Sequence, residues 1–231
     1  MQYEYVALHG ARIAYRVSGA GPALVLMKNN RRLPDYPVAE PLSRRFRVLQ
    51  IHPVGFGASD RPEGYDFGSI GEQVLAVLDH ERIDRFAVWG FSQPAAMSAV
   101  VARSTGRAAA LVMGGFPPIG SPTDGEMRRM EREPRLPRPP MEFWRHHRSY
   151  DWHHELRFFS GTKVAYIGTA DPAIRRLRRL RPVLEGIGFT YLEFDGLSHA
   201  TCGLGDPSSN GRRVAETVVD CLLSRDGVGG E

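Results

Sequence analysis

The chain has 231 residues, of which 42% are hydrophobic and 24% charged, and its formal net charge is +4. These values are typical of a folded domain and exclude a disordered or low-complexity chain. The two cysteines, Cys202 and Cys221, are too few for a disulfide scaffold, so we expect free thiols. No apolar run reaches the roughly 20 residues that span a bilayer, and the N-terminus lacks the pattern of a signal peptide. We therefore expect a cytoplasmic protein with no membrane partner.

The first half of the chain alternates strand patterns with helical patterns. Two strands, over 3–8 and 12–17, are separated by a short turn, and we expect the first to be antiparallel. Residues 23–27 are continuously apolar, as in a strand buried on both faces of a parallel sheet. The remaining predictions for this half are helices over 38–45, 69–82 and 93–104 and strands over 47–51, 85–89 and 108–113.

Residues 116–160 break this rhythm, because they are rich in proline, arginine, histidine and tryptophan. We interpret them as a cap inserted over the sheet, with short helices near 124–131 and 141–147. The earlier rhythm then resumes with strands over 163–167 and 190–194 and helices over 172–187 and 208–224. The prediction is a single domain over 1–231, of the α/β class. It has about eight mostly parallel strands, helices on both faces and a reduced cap.

Two polar stretches have ordinary structural explanations. In residues 174–181, Ile174, Leu177 and Leu180 recur at three-residue spacing, which places the intervening arginines on the opposite side of one helix. A solvated helix face is therefore expected, and no nucleic-acid partner. Four histidines lie within 146–154, but adjacent histidines on a short helix diverge, so we expect no metal site there.

The stretch around Ser92 carries the clearest chemical pattern. Gly90-Phe91-Ser92-Gln93-Pro94 lies between an apolar run and a helix of small residues, which is the setting of a G-x-S-x-G nucleophile elbow. Pro94 replaces the second glycine, and proline is tolerated in the first turn of a helix. In this interpretation Ser92 is the nucleophile and the Gln93 N–H faces the oxyanion. The alternative is that Ser92 only caps the helix.

A serine nucleophile needs a base and an acid that orients the base. Asp171 follows the strand predicted over 163–167, and His199 follows the strand over 190–194, so both belong at the carboxyl edge of the sheet. Asp171 could instead be a helix cap, and His199 a loop histidine. Their joint placement favours a catalytic Ser92-His199-Asp171 triad. His52 also follows a strand, and we assign it to the loop or pocket.

The chain order Ser, Asp, His, together with the Gly-x-Gly-x-Ser-Asp-x-Pro loop over Gly55 to Pro62, resembles the α/β-hydrolase family over nearly the whole chain. The resemblance implies the α/β-hydrolase fold and a cofactor-free serine hydrolase. Its substrate would be a small molecule with an ester, thioester, lactone or activated C–C bond. A serine nucleophile argues against epoxide hydrolase or haloalkane dehalogenase chemistry, for which this family uses aspartate.

The loop after the third strand departs from the family pattern. The family has His-Gly before the second oxyanion donor, whereas this chain has Lys28-Asn29-Asn30, so Asn30 is the aligned donor beside Gln93. We name Asn29, Phe91, Trp144 and Trp152 as pocket candidates. The departure leaves two alternatives to a hydrolase. One is a non-hydrolytic biosynthetic enzyme that performs cyclisation, elimination or acyl transfer, and the other is a ligand-binding protein with a weakly active triad. The oligomeric state is left open.

Overall fold

A computed structural model describes residues 2–29, 35–61, 67–132 and 141–224. Within these ranges the strands are β1 (Glu4–Leu8), β2 (Ala11–Ser18), β3 (Ala23–Met27), β4 (Arg47–His52), β5 (Phe86–Phe91), β6 (Ala108–Gly114), β7 (Thr162–Gly168) and β8 (Phe189–Phe194). The helices are α1 (Ala39–Leu42), α2 (Ile70–His80), α3 (Gln93–Arg103), α4 (Asp124–Arg132), α5 (Met141–Arg148), α6 (Trp152–Phe158), α7 (Ile174–Gly186) and α8 (Ser209–Leu223).

The described strands form one eight-stranded sheet in the order β1-β2-β4-β3-β5-β6-β7-β8. All neighbouring pairs from β4 to β8 in this order are parallel, which confirms the predicted mostly parallel α/β sheet. One detail of the prediction was wrong, because β2 and not β1 runs against the parallel strands. The tight turn at His9 and Gly10, both with positive φ, reverses the chain between β1 and β2.

Apolar side chains cover both faces of the sheet. Every residue of β3 and β6 is buried, as expected for strands with helices on both sides. On one face β3 and β5 pack against α2 and α3, and on the other face they pack against α1 and α8. The predicted helix over 38–45 is a single turn, since residues 43–46 continue as turns that bring the buried Phe46 against the sheet.

The chain reverses its direction of travel across the sheet between β3 and β5. It goes from β3 outward to β4 and then crosses back over β3 to reach β5. A crevice forms at such a switch point, beyond the carboxyl ends of the two strands, and ligands bind there in open α/β sheets. The loop after β3 and the start of α3 therefore face each other across this crevice.

The segment between β6 and β7 contains α4, α5 and α6 and no described strand. Two of these helices were predicted near their observed positions. The buried residues Phe143, Trp144, Trp152 and Leu156 belong to the same apolar cluster as the α2 and α3 face of the sheet. The segment is thus attached to the core by apolar contacts, and it lies next to the strand ends after β5 and β6.

Candidate active site

Ser92 sits at the turn from β5 to α3 with φ of 62° and ψ of −129°. A positive φ is strained for a residue with a side chain, and nucleophile elbows have this conformation. The Ser92 N–H donates to the Gly114 carbonyl at 2.7 Å, which fixes the turn to the end of β6. A Cβ on Gly90 would lie 2.0 Å from the Pro94 carbonyl oxygen, so only glycine lets the strand approach the helix this closely.

Pro94 occupies the first turn of α3, as its ring permits. The Ala95 N–H donates to the Ser92 carbonyl at 3.0 Å, and Ser98 Oγ donates to the Pro94 carbonyl at 3.0 Å. The Gln93 N–H is the first in the helix, where no carbonyl of the preceding turn can accept it. Replacing the second glycine of the motif by proline therefore leaves this N–H available to an oxyanion.

Three side chains from three different strand ends converge here. The Ser92 Oγ and His199 Nε2 atoms are 3.0 Å apart, and His199 Nδ1 is 2.6 Å from Asp171 Oδ2. Asp171 is 2% exposed, and its other oxygen accepts the Ala173 N–H at 2.8 Å, which holds the carboxylate toward His199. The Asp171 carboxylate therefore contacts both the backbone before α7 and the His199 ring.

The Phe91 ring packs against the His199 ring. Its ring centroid lies 4.9 Å from that of His199 and 6.0 Å from that of Tyr166. Gly115 has φ of 60°, and a Cβ there would lie 2.6 Å from Phe91 Cζ, so the Phe91 ring needs a glycine beside it. Phe91 contacts His199 in this way but does not line the cavity described below.

The loop after β3 is only partly described, and Asn30 lies outside the described residues. The Asn29 Nδ2 atom donates to Gln93 Oε1 at 2.9 Å, which links the two sides of the crevice. Lys28 is fully buried, with its ammonium 4.1 Å from the Tyr36 ring centroid and 3.4 Å from Gln50 Oε1. Burial lowers the pKa of Lys28 to about 8. Asn29 was expected to line the pocket, but its side chain instead bonds the Gln93 side chain at the start of α3, beside the pocket.

A cavity of about 430 Å³ opens above Ser92 and His199. Gln93, Gly115, Pro172 and Ala173 also line its floor, and the segment after β6 supplies Phe116, Pro117, Pro122, Met130 and Trp144. The Trp144 ring stacks on Phe116 with centroids 5.8 Å apart, so the two form one aromatic wall. This volume is in the range of small-molecule sites.

Trp152 was expected to line the pocket, and this is wrong. Its ring stacks on His147 with centroids 4.6 Å apart, and its indole N–H donates to the His147 carbonyl at 2.8 Å. Both residues are buried, and Trp152 belongs to the apolar cluster. Burial, with a smaller contribution from His146, lowers the pKa of His147 to about 3. The two neighbouring cap tryptophans therefore differ in role, because only Trp144 faces the cavity.

Sequence reasoning missed the described charged residues of the cavity, which are Glu126, Arg129 and Arg176. Arg178 and Arg181 form surface ion pairs with Glu193 and Glu185, as expected for a solvated helix face. Arg176 differs because it lies in the first turn of α7, just after Asp171. This position in the sequence could have predicted its place, because a residue that closely follows Asp171 begins near the same edge of the sheet.

His52, the other histidine at a strand end, has a structural role. It is fully buried, and its Nδ1 accepts the Ala58 N–H at 2.7 Å. Ser59 Oγ donates to the His52 carbonyl and accepts the Ala14 N–H at 2.8 Å. These bonds hold the glycine-rich loop after β4 against β2. His52 was predicted to lie in the loop or the pocket, whereas it is the last residue of β4 and anchors that loop.

Residues 26–125 match a protein family described as the alpha/beta hydrolase fold. The chain has the alpha/beta hydrolase fold. The matched range begins at the end of β3 and includes the β5 to α3 elbow with Ser92. Asp171 and His199 lie outside the matched range, so the family match gives no information about them. Their contacts with each other and with Ser92 are seen in the structure.

Individual relatives agree with this fold. The chain is 33% identical over 70 residues to the AB hydrolase superfamily protein YisY of Bacillus subtilis, a match over 30% of this chain and 26% of that one. The chain thus spans about a quarter of the length of this relative. The enol-lactonase from Burkholderia xenovorans LB400 has a TM-score of 0.71 at 22% identity, with 95% of this chain and 100% of that chain covered.

The meta-cleavage product hydrolase from Pseudomonas fluorescens IP01 has a TM-score of 0.72 at 14% identity, with 96% of this chain and 98% of that chain covered. At these identities the likeness shows the fold alone. The two solved structures carry names that refer to different substrates, so the fold does not identify a substrate for this chain. None of the described helices has the length and apolar character needed to cross a bilayer.

Proposed function

We propose that this protein is a serine hydrolase that acts by acyl transfer through Ser92, His199 and Asp171. The observation that carries the proposal is the pair of distances from Ser92 Oγ to His199 Nε2, 3.0 Å, and from His199 Nδ1 to Asp171 Oδ2, 2.6 Å. Such contacts between nucleophile, base and orienting acid are characteristic of activated serines. The strained backbone at Ser92 supports the same role, because strain at a non-glycine residue is concentrated at functional sites.

The proposed first step forms an acyl-enzyme. Ser92 Oγ attacks the substrate carbonyl carbon while His199 Nε2 accepts the serine proton, and the carbonyl π electrons move to the oxygen. Asp171 keeps the His199 Nδ1 proton in place and stabilises the imidazolium that forms. When the tetrahedral intermediate collapses, the bond to the leaving group breaks and His199 returns the proton to that group.

The second step releases the acid. A water molecule gives a proton to His199 and attacks the acyl carbon, and Ser92 leaves as the restored hydroxyl. The Gln93 N–H stabilises the oxyanion in both steps, and one such donor contributes roughly 2.7–4 kcal/mol to the transition state. The second donor would come from the loop after β3, where Asn30 is the aligned candidate.

The proposed substrate is a small molecule with an ester, thioester, lactone or activated C–C bond. A cavity of about 430 Å³ with an aromatic wall fits such a molecule better than a protein chain. The enol-lactonase named above acts, by its name, on a lactone, which is one of these bonds. No cofactor is required for the proposed steps, since every proton and electron pair is supplied by the residues, the substrate and water.

A fluorophosphonate probe and a panel of para-nitrophenyl esters test the proposal. The wild-type protein is expected to bind one probe covalently at Ser92 and to hydrolyse short esters, and Ser92→Ala should lose both activities. Ser104→Ala is the matched control, because this serine lies at the other end of the same helix and, among the described residues, its hydroxyl bonds only the Val101 carbonyl. Equal labelling of Ser92→Ala at another residue would contradict the assignment of the nucleophile.

The same measurements distinguish the two alternative functions. Labelling at Ser92 without hydrolysis of any ester would favour a non-hydrolytic transfer, cyclisation or elimination. Absence of both labelling and hydrolysis in a folded wild-type protein would favour a ligand-binding role. Either result would contradict the proposed hydrolase.

A further inference from the structure

The described lining of the cavity above Ser92 has an excess of positive charge. Among the described residues, three charged side chains line it, which are the guanidinium groups of Arg129 and Arg176 and the carboxylate of Glu126. Arginine remains charged at any physiological pH. A net positive charge in the described lining attracts an anionic ligand more strongly than a neutral one.

Glu126 is held by the start of α4. Its Oε2 atom accepts the Thr123 N–H at 2.7 Å and the Thr123 hydroxyl at 2.9 Å, and Thr123 Oγ1 accepts the Glu126 N–H at 3.2 Å. This reciprocal pair is a capping box. Partial burial raises the pKa of Glu126, but the Thr123 bonds and the charges of Arg176 and Arg129 lower it overall, so the carboxylate stays ionised. The capping box is a sufficient reason for a glutamate at position 126, so no role in substrate binding is needed to explain Glu126.

Arg176 has hydrogen-bonding capacity left for a ligand. Nη2 donates to the Ser121 carbonyl at 2.8 Å, and Nη1 is 3.5 Å from Glu126 Oε2, which is a long ion pair. A guanidinium has five N–H donors, so these two contacts do not exhaust it. Gly120 has φ of 102°, and a Cβ there would lie 3.1 Å from Nη2, so the chain beside the guanidinium is built to accommodate it. The Ser121 bond thus fixes the position of the guanidinium while most of its donors stay unused.

Arg129 lies on α4 at the same cavity, and it is exposed. Within the part of the chain that the structure describes, its guanidinium forms no ion pair or hydrogen bond. The other walls are apolar, with Phe116, Met130 and Trp144 on the cap side. The cavity therefore combines an apolar wall, a nucleophile on the floor and two cations at the side.

We infer that the substrate of this hydrolase carries a carboxylate, which Arg176 and Arg129 bind while the scissile carbonyl lies at Ser92. The inference rests on the proposed function and adds the substrate class to it. Among the described lining residues, two guanidinium groups and one carboxylate leave a single positive charge, which a monoanion neutralises. A planar carboxylate also matches the fork of a guanidinium, and such pairs are often bidentate. The apolar wall would contact the hydrocarbon part of the same molecule.

A matched pair of esters tests this inference. One is the mono-para-nitrophenyl ester of adipic acid, which is an anion, and the other is its neutral methyl ester, which has the same acyl chain. The wild-type protein is expected to prefer the anion by about tenfold in kcat/KM, since a hydrogen bond to a charged group contributes energy of that order. The preference should fall as salt is added, because the arginines are partly solvated.

Arg129→Gln and Arg176→Gln should each bring the ratio of the two kcat/KM values toward unity while the neutral ester is still hydrolysed. Arg175→Gln is the matched control, because Arg175 lies on the same helix, is exposed and does not line the cavity. Arg129→Gln is the decisive variant, since no described contact depends on that side chain, whereas Arg176→Gln could also disturb the segment at Ser121.

Two outcomes would overturn the inference, and they differ in what they say about the enzyme. If the neutral ester is hydrolysed and both cavity variants keep the wild-type ratio, the carboxylate site is refuted and the hydrolase stands. If neither ester is hydrolysed and Ser92 is not labelled by a fluorophosphonate, the proposed function fails and the inference fails with it.

Discussion

His147 should make the stability of the protein sensitive to mild acid. Its ring is fully buried among Phe116, Phe143, Trp144 and Trp152. Nδ1 lies 3.0 Å from Ser121 Oγ, and Nε2 has no hydrogen-bond partner among the described residues. A second proton on this ring would therefore place a charge in an apolar site, with no described acceptor for the Nε2–H. Burial, followed by the neighbouring His146, lowers the pKa of His147 to about 3 from its ordinary 6.5.

The size of the effect follows from these two values. Below pH 6.5 the unfolded chain binds a proton at His147 that the folded protein does not bind, so stability falls as the pH falls from 6.5 toward 3. Each pH unit in this window corresponds to about 1.4 kcal/mol. At pH 5 the loss from this residue alone is about 2 kcal/mol, which is a large part of the stability of a typical domain.

Urea unfolding at pH 7.5 and pH 5, followed by tryptophan fluorescence, measures this loss, because Trp144 and Trp152 both contact the His147 ring. His147→Gln keeps a polar group but cannot titrate, so it should lose about 2 kcal/mol less than the wild type between the two pH values. Its lower stability at pH 7.5, caused by altered packing, cancels in this comparison. His154→Gln, at an exposed position in α6, is the control and should behave as the wild type. An equal pH dependence in the wild type and His147→Gln would refute the reasoning.

Three further predictions concern the proposed catalytic site. Asp171→Asn should lower kcat for para-nitrophenyl esters by up to about 10⁴-fold, because it leaves His199 in the wrong tautomer, and an unchanged kcat would contradict the triad. Gly90→Ala should reduce fluorophosphonate labelling and destabilise the protein by about 1–3 kcal/mol, because its Cβ would lie 2.0 Å from the Pro94 carbonyl oxygen. Labelling at the wild-type rate would show that the elbow tolerates the alanine side chain. Pro94→Gly, which restores the motif, should keep kcat within a few-fold of the wild type and lower the free energy of unfolding by about 1 kcal/mol, as measured in urea. A large gain in kcat would mean that Pro94 restricts the oxyanion site.

The sequence by itself determined the parts of the protein that depend on near neighbours. Apolar runs such as 23–27 identified the buried strands, because side chains of a parallel strand face helices on both sides. Ser92, Asp171 and His199 were found because each follows a strand, and parallel strands end at one edge. These patterns are local, so they can be recognised without knowing how the rest of the chain folds.

Tertiary structure decided which side chains face the cavity. Trp144 and Trp152 have similar sequence surroundings, yet one lines the cavity and the other stacks on His147. Arg176 and Arg178 belong to the same basic helix, and only Arg176 reaches the site. The direction of β2 was likewise set by its pairing with β1 and β4. In each case the outcome depends on how segments far apart in the chain pack together, and the periodicity within one segment contains no information about that packing.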